Sequence, residues 1–160
     1  MTRTGASLKT PLTPLGILDL EFAYNAAKAN SVIEVWASMS SIDNIRAAKF
    51  NTYLDFIFLL FYASLLFYLC RELAASTAGS LRSLGRYLAN GTLAAGLFDI
   101  LENAGMLVSL NGHSTDTLAL LTFICSVLKW ALVLLAVLYV LIAGPFILYK
   151  NKARTLPKPV

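Results

Sequence analysis

The sequence predicts an all-α fold: a membrane helical bundle of three transmembrane spans, with an amphipathic helical segment on its outer face. Three observations carry that prediction. The chain of 160 residues is 58% apolar and only 14% charged, too apolar for an ordinary soluble domain of this length. Three apolar stretches, at residues 52–70, 86–110 and 117–143, reach the roughly twenty residues that a bilayer crossing needs. Lysines and arginines gather at the ends of these stretches and in the C-terminal tail, where they orient spans rather than follow a phosphate backbone. Nucleic acid is therefore not expected among the partners, despite a net charge of +4.

Residues 1–14 form a polar arm interrupted by Pro11 and Pro14, and an irregular conformation is expected there. The start of the chain has no apolar core of the kind a secretory signal carries. Residues 15–50 read as an amphipathic helical region on the outer face. Leu15, Leu18, Phe22, Ala26, Ala29, Ile33 and Trp36 recur every three or four residues, while Asp19, Glu21, Lys28 and Glu34 are too many charges for a lipid-facing span. Asn25 is a good N-cap, so a break is expected beside it. Asp19 and Glu21 are outer-face candidates for a ligand role, with simple packing the competing reading.

Residues 51–144 make the transmembrane bundle. Ser40 and Ser41 can cap the helix that leads into the first span, and Asp55 lies close to where that span starts. Residues 71–85, with Ser76, Thr77, Gly79 and Ser80, read as a polar linker flanked by Arg71, Arg82 and Arg86. Gly91, Ala95 and Gly96 give the second span a small-residue surface for close helix approach. Asn111-Gly-His-Ser-Thr-Asp116 is a turn without lysine or arginine, and Gly144-Pro145 is expected to stop the third span. Residues 145–160 form a basic tail. The bias of basic residues places the 71–85 linker and the C-terminus in the cytoplasm, as in a bacterial inner-membrane protein. The N-terminal fifty residues then lie outside with no span of their own to carry them across.

Within the second span, Asp99, Glu102 and Asn103 are spaced i, i+3, i+4 and share one helix face. The one basic residue inside another long apolar run is Lys129. At 1.5 Å per residue, Asp99 and Lys129 both lie about 16–18 Å below the outer ends of their spans. Antiparallel neighbours joined by a six-residue turn would bring them into contact. Asp99 is expected to have the first claim on Lys129. Since a lone charge at the bilayer centre costs at least about 2.5 kcal/mol, Asp55, Asp99 and Glu102 cannot all be answered by one ammonium. One or two of them carry a proton at neutral pH, or a cation or water-filled cavity compensates them. Asp55, Asp99, Glu102, Asn103 and Lys129 are the binding or proton-exchange candidates.

Other chemistry is not expected. Cys70 and Cys125 fall in opposite halves of the bilayer, beyond the reach of a disulfide. With one histidine, His113, and no paired cysteines there is no zinc or haem signature, so neither a metal nor a cofactor is predicted. No phosphate-binding glycine loop, nucleophile elbow or HExxH motif occurs, and no catalytic residue is assigned.

Taken together, Leu18-Asp-Leu-Glu-Phe-Ala23, Asp55-Phe56, Asp99-Ile-Leu-Glu-Asn103 and Leu128-Lys-Trp130 resemble a group of small multi-span bacterial membrane proteins over residues 15 to about 143. The resemblance implies a multi-span fold and no particular activity. Members of that group carry a further apolar span ahead of the LDLEFA-like stretch. Where they have it, this chain has the short polar arm, which implies a lost span or a different natural start.

Three functional readings follow. The leading expectation is a structural or accessory membrane subunit whose buried charges specify packing, with membrane lipids, other membrane subunits or further copies of itself as partners. The second is proton- or cation-coupled transport, or binding of a charged lipid or small molecule, at the cluster. The third is an intramembrane lipid-modifying enzyme with Glu102 or Asp55 as base.

Overall fold

The structure, a computed structural model, describes residues 5–39 and 43–155, with side chains described as far as residue 147. It is all-helical, with no strand among the described residues. The helices are α1 (Ile17–Glu21), α2 (Ala26–Ser38), α3 (Asn44–Ala75), α4 (Gly79–Leu110) and α5 (Asp116–Thr155). Three of them, α3, α4 and α5, are long and apolar enough to cross a membrane. The expected caps Ser40 and Ser41, and the side chains of Lys150, Lys152, Arg154 and Lys158, lie outside the described residues.

The chain packs as two compact units, one of residues 1–60 and 97–129, the other of 61–96 and 130–160. In the first unit, the amphipathic segment is broken where its sequence implies. Asn25 has extended backbone, and its side chain accepts a hydrogen bond from Lys28 N at 2.8 Å, capping α2. The next cap is Asp43, whose Oδ1 accepts from Arg46 N at 2.9 Å. Asp116 Oδ1 accepts from Ala26 N at 2.9 Å and so puts a negative charge at the start of α2. That bond holds the segment at the end of the unit that carries the 111–115 turn.

The core of this unit gathers Leu8, Leu20, Val32, Trp36, Ala48 and Met106. Leu8 and Thr13, within the arm that reads as polar, are fully buried. Trp36 Nε1 donates to Leu8 O at 3.0 Å and Thr13 Oγ1 donates to the same carbonyl at 2.8 Å. The indole and the hydroxyl together satisfy a backbone carbonyl buried in the core.

The second unit packs Leu66 and Cys70 of α3, Ala89 of α4, and Ala136, Tyr139 and Ala143 of α5. Small residues let backbones approach: a Cβ on Gly85 would collide with the Tyr139 ring, and one on Gly96 would meet Ala63 Cβ at 3.4 Å. Tyr139 OH donates to Leu81 O at 3.2 Å.

Two expectations about helix ends are corrected. The 71–85 linker shrinks to residues 76–78, because Arg71-Glu-Leu-Ala-Ala75 and Leu81-Arg-Ser-Leu84 are mostly strong helix formers that outweigh the scattered serines. Thr77 ends α3 by donating Oγ1 to Leu73 O at 3.0 Å, and Gly79 supplies the left-handed φ of 60° that starts α4. Gly144-Pro145 does not stop α5, which continues to Thr155. Proline fixes φ near the helical value, so the loss is chiefly one backbone hydrogen bond, which long apolar helices tolerate.

The distribution of polarity is inverted relative to a soluble protein. Phe61 is 71% exposed, Leu60 62% and Leu141 65%, whereas Glu102 is 0% exposed and Lys129 5%.

Candidate functional site

Three carboxylates of the first unit converge on one ammonium. On α4 the i, i+3, i+4 spacing turns Asp99, Glu102 and Asn103 inward, and all three are buried. On α5 Ser126 and Lys129 are three residues apart and buried on one face. Lys129 Nζ lies 2.8 Å from Glu102 Oε1, 3.2 Å from Asp99 Oδ1 and 3.7 Å from Glu21 Oε2. The shared level of Asp99 and Lys129 expected from residue counting is present. The priority differs: Glu102, and not Asp99, is the nearest partner. Asp99 Oδ1 is shared, since Asn103 Nδ2 donates to it at 3.1 Å and to Asp55 Oδ2 at 2.9 Å. The amide thereby ties Asp55, half-buried on α3, to the cluster.

Glu21 belongs to the same site. The short α1 brings its carboxylate to Lys129, and Ser126 Oγ donates to Glu21 Oε2 at 3.4 Å. Asp19 stands apart, accepting from Leu15 N at 2.8 Å just ahead of α1. Sequence reasoning missed Ser126; its i−3 relation to Lys129 was the available signal.

The arithmetic of charge is unbalanced. Three carboxylates, Glu21, Asp99 and Glu102, lie within 4 Å of the Lys129 ammonium, and a fourth, Asp55, joins them through the Asn103 amide. Glu102 Oε2 is buried and has no hydrogen-bond partner among the described residues. A cavity of about 80 Å³ adjoins the cluster, lined by Ile17, Glu21, Asn51, Thr52, Asp55, Asn103 and Met106. At about 30 Å³ per water, that is room for two or three molecules, and its polar lining offers them carboxylate, amide and hydroxyl groups. No group of three or more His, Cys, Asp or Glu among the described residues is arranged to hold a metal ion. What the site can do is place a small, water-borne positive charge beside carboxylates that the lysine does not neutralise.

No family model, curated protein or solved structure matches the chain.

Proposed function

We propose that this is an integral membrane protein that takes up and releases a proton at the Glu21/Asp55/Asp99/Glu102 cluster. The observation that carries the reading is the four-to-one excess of acid over base beside a water-sized cavity. A pair that only fixed helix register would need one acid for one base. Three helices long enough to span, with apolar exteriors and the charges inside, support the bilayer as solvent. The proton enters from the cavity that Glu21 and Asp55 line, and Lys129 holds the deeper carboxylates in place.

The packing role is the second reading, favoured by Lys129 binding residues of both α1 and α4 and by Asn103 joining α3 to α4. A lipid-modifying enzyme is disfavoured by size. Small-molecule sites run about 300–1,000 Å³, and a lipid headgroup does not fit the volume available here. The bias of basic residues places the 111–115 turn outside, and the 76–78 turn and C-terminus in the cytoplasm.

The test is a pH jump on the full chain in nanodiscs, with released protons read by an indicator dye. Glu21→Gln with Asp55→Asn is expected to lower the number released per chain. Equal release by wild type and variant would overturn the proposal in favour of packing.

A further inference from the structure

We infer that the second unit carries a binding site for a phosphate-bearing anion, set between α3 and α4 and separate from the acidic cluster. A cavity of about 430 Å³ is lined by Phe67, Arg71 and Ala75 of α3 and by Arg86, Ala89 and Asn90 of α4. This volume falls within the roughly 300–1,000 Å³ of small-molecule sites. The spacings 67, 71, 75 and 86, 89, 90 each describe one helix face, so both arginines look into the same space.

Neither arginine forms an ion pair or a side-chain hydrogen bond with any described residue. Glu72, adjacent to Arg71, sits on another face. Arg82, by contrast, is used internally, with Nε donating to Thr77 O at 2.8 Å. Arg71 is instead held over the Phe67 ring, its Cζ 5.8 Å from the centroid, an arrangement that fixes the side chain and leaves its hydrogen-bonding edge open. Two guanidinium forks with the Asn90 amide offer the donors that phosphate oxygens take.

Depth argues for the headgroup of an anionic phospholipid, and this step rests on the membrane reading above. Each 32-residue helix is about 48 Å long, some 18 Å more than the hydrocarbon it crosses. Arg71 lies four residues before the end of α3 and Arg86 seven residues after the start of α4, about 6 Å and 10 Å from those ends. That is the headgroup layer. Leu93, 52% exposed and one turn beyond Asn90 on the same face, continues the site as apolar surface suited to an acyl chain. Free phosphate offers the same oxygens and no use for that surface.

The experiment is native mass spectrometry of the full chain released from micelles doped with phosphatidylglycerol or phosphatidylcholine. The expected result is preferential retention of phosphatidylglycerol, weakened at least about tenfold in Arg71→Gln/Arg86→Gln. Arg71→Lys/Arg86→Lys, which keeps the charge and loses the fork, is expected to be intermediate, and Arg82→Gln is expected to behave as wild type. Inorganic phosphate is added as competitor: lipid that stays bound identifies the headgroup, and lipid displaced identifies free phosphate as the ligand of the same site. Equal retention of both lipids, or of phosphatidylglycerol by wild type and the Gln double variant, overturns the inference. Vesicle flotation separates the two proposals, since a chain that floats but shows equal retention fails only here, whereas one that does not float fails as a membrane protein.

Discussion

Lys129 Nζ lies 2.8 Å from Glu102 Oε1, the shortest of its three contacts with carboxylates, and both side chains are buried. The lysine is therefore what makes the acidic interior tolerable. Lys129→Met is expected to lower stability by about 3–5 kcal/mol, because three buried carboxylates lose the cation they contact. Adding Asp99→Asn should recover part of that loss by removing a charge left without its counter-ion, since Asp99 Oδ1 lies 3.2 Å from the ammonium. Thermal unfolding followed by circular dichroism in micelles checks both values. A double variant no more stable than Lys129→Met would show that the two groups do not act as a pair.

Close packing between α4 and α5 in the first unit depends on a missing side chain. A Cβ on Gly105 would collide with Thr122 Oγ1, while Thr122 Cβ lies at 3.4 Å. Gly105→Ala is expected to destabilise by about 1–3 kcal/mol, and Thr122→Ala in the same chain should relieve most of it. Gly144 has nothing within 4 Å, so Gly144→Ala in the helix interior should be stabilising by about 0.5–1 kcal/mol. Melting temperatures of the three variants test the contrast.

The N-terminal segment is secured through Trp36. Trp36→Phe keeps most of the packing and removes the donor that reaches Leu8 O and, at 3.3 Å, Thr13 Oγ1. The expected cost is about 0.5–1.5 kcal/mol, the net worth of one hydrogen bond, because the Leu8 carbonyl keeps its Thr13 Oγ1 donor. Amide exchange should rise over residues 5–16 while the centres of α4 and α5 stay protected.

The proposed topology has a direct assay. A cysteine at His113 is expected to react with a membrane-impermeant thiol reagent added outside intact cells, and one at Ser76 only after permeabilisation. Both positions are exposed. The reverse pattern would invert the orientation.

Much of the cluster was legible in the primary structure because two simple rules governed it. Helical spacing put Asp99, Glu102 and Asn103 on one face, and counting residues from a short turn set Lys129 level with them. Glu21 was harder. Its seat beside Lys129 depends on how a five-residue helix docks on α5, where Phe22 meets the Phe123 ring edge-on at 6.4 Å, and no periodicity encodes that. The order of partners around Lys129 was likewise illegible, since it turns on side-chain reach rather than on depth along the axis. Helix ends at Arg71–Gly85 and at Pro145 run on past their turn-forming residues for two different reasons. At Pro145 the surrounding apolar helix cannot exchange its backbone hydrogen bonds with water, and at Arg71–Gly85 helix-forming residues outnumber the turn formers.

Infrared difference spectroscopy of carboxyl groups tests the central claim most directly. The reconstituted chain at neutral pH is expected to show the C=O band of a protonated carboxylic acid that shifts in deuterated water and shrinks in Glu102→Gln. A spectrum at neutral pH with ionised carboxylates alone, unchanged by that substitution, would overturn the proton-exchange reading.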